Sequence, residues 1–221
     1  MKPSSLSLKL IPALLAFYPT LVMADDFQVK AEAVFAPLMQ EFKVPGLIVG
    51  ITRDGVHEFY ATGLASREQQ TPVTPDTLFE LGSISKIFTA TLAAWGEQQG
   101  KLDLSETAAH YLCADTCTIG DKITLMDLAT HHSGGLPLQV PDEINDVAGL
   151  VNWLKDWRPS DPDARSYSNI SIGMLGYISG KALGSNYRQA VQTMLFPALG
   201  LGNSWIDVPS DKMETYAFGY D

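Results

Sequence analysis

Residues 79–90 read FELGSISKIFTA, and at this stretch strand-like sequence gives way to helical sequence. Ser83 is followed three residues later by Lys86, and the apolar run behind them has a helical pattern. Residues i and i+3 share one face of a helix, so the hydroxyl and the amine are expected side by side. Because a lysine is costly to bury without a partner, either this face is exposed or the amine acts on the serine.

The sequence before this stretch predicts a helix and then a β-hairpin. Apolar residues recur at helical spacing over Phe27–Lys43 and give an amphipathic helix that stops before a Pro-Gly pair. Two strand-like runs, LIVGITR and VHEFYATG, are joined by Asp54-Gly55, a dipeptide typical of tight hairpin turns. No other segment is convincingly strand-like. Because an isolated two-stranded hairpin is marginally stable, the sheet is expected to be incomplete in this chain.

The second half of the sequence is rich in helical patterns. The expected helices are ITLMDLATHHSGG with its glycine pair as the stop, DVAGLVNWLKDW, SNISIGMLGYISGKAL and YRQAVQTMLFPALG. A helix, a hairpin and then a helical region predict the α+β class, with an antiparallel sheet, helices packed on it and a separate all-helical region.

The first 24 residues have the layout of a secretory signal peptide. Two lysines precede the apolar run LIPALLAFYPTLV, and small residues precede the expected cleavage site after Ala24. The alternative is a membrane anchor, but the run is short for a bilayer span and contains two prolines. We expect export to the periplasm as a monomer, with no membrane insertion after cleavage.

Charge and cysteine content narrow the possible partners. Removal of the two signal-peptide lysines leaves 13 basic and 25 acidic residues, a net charge of −12. An acidic surface argues against nucleic acid and anionic membranes as partners.

Cys113 and Cys117 are first interpreted as a disulfide that closes a small loop, because the chain is expected to be exported. A zinc site and two free thiols are the alternatives.

Ser83 and Lys86 could form part of a nucleophilic site. A serine hydroxyl needs a nearby base to become a nucleophile. A desolvated lysine with a lowered pKa can be that base or can polarise another one. Tyr167 and Asn169, in RSYSNISIGMLGY, project to the same side of an extended segment. The tyrosine can act as a general base if Lys86 lowers its pKa. The alternatives are a helix-capping serine with a solvated lysine, and a buried tyrosine followed by an asparagine cap.

Four stretches, FELGSISK, HHSGGLPLQVPD, RSYSNISIGMLG and FPALGLGNSW, resemble in this order the class C (AmpC-type) serine β-lactamases. The resemblance implies the α/β sandwich of β-lactamases and penicillin-binding proteins, a small-molecule β-lactam substrate, and neither cofactor nor metal. It implies that Ser83 is the acylated nucleophile, Lys86 its activating partner and Tyr167 the proton acceptor. Gln139 and Asn169 would bind the acylamino side chain of the antibiotic.

One element of that family is missing from the sequence. The family binds the substrate carboxylate and supplies a second oxyanion N–H with a Lys-Thr-Gly edge strand, and no such triplet follows Tyr167. We therefore expect the N-terminal portion of a longer enzyme, inactive alone. Its expected parts are a signal peptide (1–24), a sheet region ending in the Ser-x-x-Lys helix (25–95) and a helical region (96–221), without the C-terminal strands.

Other interpretations remain for the polar residues and for the function. His131 and His132 could be metal ligands, but adjacent residues on a helix diverge and no carboxylate completes a set. A Ser-His-Asp triad is not favoured, because no G-x-S-x-G turn surrounds Ser83. The functional alternatives are a serine esterase or D,D-peptidase of the same fold, and a penicillin-binding sensor that is acylated without hydrolysis.

Overall fold

The computed structural model describes residues 24–113, 123–161 and 164–220. These residues form two compact units. The first combines the residues up to Phe79 with those from Thr215 onward, and the second spans Glu80–Glu214. Residues 1–23 of the predicted signal peptide and Cys117 lie outside the described residues, although Cys113 is disulfide-bonded. In the described part of the chain, no helix is both long and apolar enough to cross a membrane. The signal peptide and the division after residue 95 stay predictions.

The first unit contains a helix and a small antiparallel sheet. The helix is α1 (Ala24–Glu41), and the strands are β1 (Gly46–Arg53), β2 (Val56–Ser66) and β3 (Thr71–Pro72), in the order β1-β2-β3. The predicted hairpin is confirmed: Arg53 pairs with Val56, and both turn residues have positive φ, 50° at Asp54 and 79° at Gly55. These angles suit a type I′ turn, whose backbone twist matches that of the two strands.

Extended pairing also occurs at positions that show no strand-like pattern. The strand β3 has only two residues, and Leu78 forms a parallel bridge with Tyr216. Leu78 donates its N–H to the Thr215 carbonyl at 2.8 Å and accepts the Ala217 N–H at 2.8 Å. No strand was predicted at these positions, because an alternating pattern needs four or more residues to be recognised. The α+β class is confirmed.

The second unit is helical and is built around one buried helix. Its helices are α2 (Ser85–Gln98), α3 (Ala108–Cys113), α4 (Leu125–Thr130), α5 (Val147–Asp156), α6 (Asn169–Ala182), α7 (Tyr187–Ala190) and α8 (Phe196–Ala198), with 3₁₀ turns at Gly82–Ile84 and Ser210–Thr215 and a π turn at Val191–Leu195. The helix α6 buries Ile170, Leu175 and Ile178 almost completely, and both α2 and α4 pack against it. The start of α2 and the start of α6 are thereby held together.

The helix α4 ends earlier than the glycine pair predicted. Its last helical residue is Thr130, and His131 closes it with φ 64° while the His131 N–H bonds to the Asp127 carbonyl. The glycine pair predicted the wrong end because a histidine here takes the left-handed conformation that glycine usually adopts after a helix. Gly134 and Gly135, with φ 69° and 83°, belong to the following loop. His131 and His132 therefore do not project from a helix surface.

Candidate active site

Three of the predicted site residues meet at one hydroxyl group. Lys86 Nζ donates a hydrogen bond to Ser83 Oγ at 3.0 Å, as the i, i+3 spacing predicted. The phenol of Tyr167, 84 residues further along the chain, donates to the same oxygen at 2.8 Å. Lys86 Nζ also lies 4.9 Å from the centroid of the Tyr167 ring. The amine and the phenol thus each lie within hydrogen-bond distance of the same alcohol oxygen.

The turn before α2 presents Ser83 at the N-terminus of that helix. Ser83 lies in the 3₁₀ turn Gly82–Ile84, and Gly82 has φ 53°, a conformation that glycine adopts without strain. Ser85 stabilises the turn by donating its hydroxyl to the Gly82 carbonyl at 2.6 Å. Ser83 is exposed and Lys86 is half-buried one turn into α2. The hydroxyl is therefore open to a substrate while the amine is partly shielded from water.

The charge of Lys86 changes the acidity of Tyr167. The hydrogen bond that the Lys86 ammonium offers lowers the pKa of the Tyr167 phenol below its usual value, and the Ser83 hydroxyl acts in the same direction. The positive charges of Lys86 and Arg165 contribute further. A phenol with a lowered pKa is a better proton acceptor near neutral pH, because more of it is ionised.

Backbone and side-chain hydrogen bonds join the residues around Tyr167 to the loop after α4. Ser168 is the N-cap of α6: its hydroxyl accepts the Ser171 N–H at 3.1 Å and donates to the Pro137 carbonyl at 2.6 Å. Asn169 donates its N–H to the Leu138 carbonyl at 2.8 Å. The loop of residues 133–139 is thereby held at the start of α6, next to the tyrosine.

The two amide residues predicted to bind substrate are near this loop but do not join the hydrogen-bonded trio. Asn169 is the first residue of α6, and Gln139 is exposed one residue beyond Leu138, whose carbonyl Asn169 contacts. Within the described ranges, neither amide side chain has a hydrogen-bond partner. Both amides are therefore available to a ligand, and their role stays a prediction.

Sequence reasoning missed the position of His131. The ring is buried, with only 6% of the residue exposed, and its centroid lies 4.7 Å from the Tyr167 ring centroid. Its Nδ1 accepts the Ser168 N–H at 3.3 Å. Among the residues that the structure describes, no cluster of acidic, histidine or cysteine side chains suits a metal ion. No local signal pointed to this packing, since it joins residues 36 positions apart.

Comparisons with known proteins found several relatives of this chain. Residues 31–221 match the β-lactamase family. A curated β-lactamase of Pseudomonas fluorescens is 38% identical over 90% of this chain and 56% of its own length. The solved class C β-lactamase of Rhodobacter sphaeroides is 60% identical, with a TM-score of 0.83 over 86% of this chain and 54% of that one.

Two further solved structures are similar to this chain. A class C β-lactamase in complex with cefoxitin is 39% identical with a TM-score of 0.85, over 90% of this chain and 56% of that one. A β-lactamase/D-alanine carboxypeptidase of Pseudomonas syringae is 42% identical with a TM-score of 0.82, over 89% of this chain and 55% of that one.

The chain spans about half the length of the curated relatives that it matches. The family match nevertheless covers most of this chain, from residue 31 to residue 221. The resemblance suggested by the sequence is thus confirmed by similarity over the whole described core, and the chain belongs to the β-lactamase family, with class C enzymes among its relatives.

Proposed function

We propose that the protein is a periplasmic serine β-lactamase that hydrolyses the β-lactam amide of cephalosporins and penicillins through an acyl-enzyme on Ser83. The observation that supports this most directly is the convergence of Lys86 and Tyr167 on Ser83 Oγ, at 3.0 and 2.8 Å. A serine with a positioned base and an adjacent cation is the arrangement that activates a hydroxyl nucleophile.

In the first step, Ser83 Oγ attacks the carbonyl carbon of the β-lactam. Ionised Tyr167 accepts the hydroxyl proton, and the nearby Lys86 ammonium stabilises the phenolate before the transfer. The C–N bond of the ring then breaks as the proton passes to the departing nitrogen. An ester to Ser83 remains, which replaces one difficult attack by water with two easier steps.

In the second step, water hydrolyses this ester. Tyr167, again ionised, accepts a proton from the water as the water oxygen attacks the ester carbonyl, and Ser83 recovers its proton when the C–O bond breaks. Because Lys86 lies 4.9 Å from the phenol ring centroid, its charge can favour the ionised tyrosine in both steps.

Two amide side chains near the segment that carries Tyr167 support a β-lactam as the substrate class. Gln139 and Asn169 offer both donors and acceptors, which suit the acylamino side chain of a β-lactam. The cefoxitin complex of a relative supports a β-lactam as the ligand. The signal-like residues 1–24 support the periplasm, where a Cys113–Cys117 disulfide would persist.

A second candidate is a D-alanine carboxypeptidase activity at the same serine. It is favoured by the Pseudomonas syringae relative, which is described as having both activities. Both reactions open an amide through an acyl-serine, so the three converging residues serve either. The two differ in the amide that is cleaved and in the rate of ester hydrolysis.

The test compares three substrates on the full-length gene product. A chromogenic cephalosporin reports β-lactam turnover, a peptide ending in D-Ala-D-Ala reports carboxypeptidase activity, and a fluorescent penicillin reports a stable acyl-enzyme. We expect rapid cephalosporin turnover with little stable label. Peptide cleavage without cephalosporin turnover would favour the second candidate, and a stable label without release would indicate a penicillin-binding sensor.

A further inference from the structure

His131 contacts three consecutive residues of the segment that carries Tyr167. Its carbonyl accepts the Ser166 N–H at 2.9 Å, and its Nδ1 accepts the Ser168 N–H at 3.3 Å. Its ring lies against the Tyr167 ring, with centroids 4.7 Å apart and planes inclined by 39°. One residue therefore holds the backbone on both sides of the tyrosine and the phenol ring itself.

His131 ends α4, a helix whose position is fixed by several contacts. The N-terminus of α4 is fixed by a capping box between Thr124 and Asp127, and Leu128 is fully buried. The Leu128 carbonyl also accepts the Ser171 hydroxyl at 2.8 Å, which ties α4 to α6. Because His131 is the residue that ends α4, its ring has a fixed place from which to hold the tyrosine segment.

We propose that His131 is a positioning residue for the reaction: as a neutral imidazole, it orients the Tyr167 phenol toward Ser83 Oγ through the Ser168 amide and the ring contact. The imidazole must be neutral because an imidazolium carries a proton on both nitrogens and cannot accept the Ser168 N–H. This proposal rests on the proposed function only for the chemical use of Tyr167, whereas the placement of the phenol can be measured separately.

The surroundings of His131 favour its neutral form. Burial lowers the pKa of the imidazole below its usual value, and the positive charges of Arg165 and Lys86 act in the same direction, as does His132. These groups come from the loop before α6, from α2 and from the loop after α4. The imidazole is therefore expected to be neutral at pH 7, in the form that accepts the Ser168 N–H.

Two substitutions separate the acceptor from the backbone conformation. His131 has φ 64°, and glycine and asparagine are the residues that adopt this region most readily. Asparagine also carries an acceptor oxygen on Cγ, where histidine carries Nδ1. His131→Gly therefore removes the acceptor and the ring, whereas His131→Asn removes only the ring. His132→Asn is the matched control, because the His132 Nδ1 bonds instead to the Thr130 hydroxyl at 3.1 Å.

The first measurement is the rate of acylation by a fluorescent penicillin, separated into a maximal rate constant and a half-saturating concentration. We expect His131→Gly to lower the rate constant by roughly tenfold to a hundredfold, since small misplacements of a catalytic group have effects of this size. The half-saturating concentration should change little. His131→Asn should recover most of the loss, and His132→Asn should match the unaltered protein. Equal loss in the glycine and asparagine variants, or no loss in either, would overturn the proposal.

The second measurement does not depend on activity. Tyrosine labelled with ¹³C at the phenol carbon reports the pKa of each phenol by NMR, and Tyr167→Phe identifies the Tyr167 signal. We expect the pKa of Tyr167 to rise toward its usual value in His131→Gly and to stay low in His131→Asn, because only a displaced phenol leaves Lys86 and Ser83. An unchanged Tyr167 pKa in His131→Gly would refute the positioning role. Absence of acylation in every protein would instead refute the proposed function.

Discussion

The hydroxyl of Tyr167 lies 2.8 Å from Ser83 Oγ and is the proton acceptor of the proposed reaction. Replacing Tyr167 with phenylalanine removes only this hydroxyl, and 41% of the residue is exposed, so the fold should be retained. We expect acylation and deacylation both to slow by about 10²–10⁴-fold, the usual effect of losing a general base. Stopped-flow measurement of both steps tests this. Rates within a few-fold of the unaltered protein would mean that the phenol is only structural.

The buried His131 should make stability depend on pH. Its pKa is lowered in the folded protein, chiefly by burial, so the unfolded chain binds the proton more readily. The free energy of unfolding should therefore be highest above the usual histidine pKa of about 6.5 and should fall as the pH drops through it. Denaturant unfolding between pH 5 and 8 should show a smaller fall in His131→Asn. The same fall in both proteins would contradict this assignment.

The sequence predicted part of the site at this scale and missed the rest for a definite reason. Ser83 and Lys86 are one helical turn apart, so their contact follows from local geometry. Tyr167 could be linked to them only by chemical reasoning and by the family resemblance. The contact of His131 with Tyr167 depends on how α4 ends, and the pattern of residues 123–135 misplaced that end.

At the scale of secondary-structure elements, the N-cap of α6 joins that helix to the loop after α4. Ser168 is fully buried and bonds to both the Ser171 N–H and the Pro137 carbonyl. Ser168→Ala should lower the free energy of unfolding by about 1 kcal/mol, the usual effect of losing a serine cap. Ser166→Ala is the matched control and should change stability little. Urea unfolding of both variants tests this, and equal effects would contradict it.

Replacing Ser133, in the loop after α4, is expected to raise the free energy of unfolding instead. The Ser133 hydroxyl is fully buried and has no hydrogen-bond partner among the described residues. A buried polar group without a partner is destabilising, so Ser133→Ala should raise the free energy of unfolding by about 1 kcal/mol. The same urea experiment measures it. A clear loss of stability would show that the hydroxyl has a partner, such as a bound water.

Element boundaries were predicted best where the pattern was local. The hairpin was predicted from two strand-like runs joined by Asp54-Gly55, and α6 was predicted within SNISIGMLGYISGKAL. The end of α4 was misplaced because the left-handed residue is a histidine rather than a glycine. The bridge between Leu78 and Tyr216 joins residues far apart in sequence, which no window of residues can reveal.

At the scale of the whole molecule, the apolar stripe of α1 is only partly covered. Ala31 is buried, but Val34, Leu38 and Phe42 remain 56%, 42% and 68% exposed. In the sheet of the first unit, β1 pairs with β2 alone among the residues that the structure describes. The amphipathic pattern therefore predicted the helix correctly, whereas the extent of its burial could not be predicted from one segment. Burial depends on the elements that pack against the helix, and these come from elsewhere in the chain.

The central claim is that a β-lactam acylates Ser83, and mass spectrometry of the whole protein tests it most directly. The full-length protein is mixed with a penicillin, quenched in acid, weighed intact and then digested to locate the adduct. We expect one adduct per chain on Ser83, no adduct in Ser83→Ala, and normal labelling in Ser85→Ala, whose hydroxyl only stabilises the turn before α2. An adduct on any other residue, or a folded protein that is never labelled at Ser83, would contradict the account.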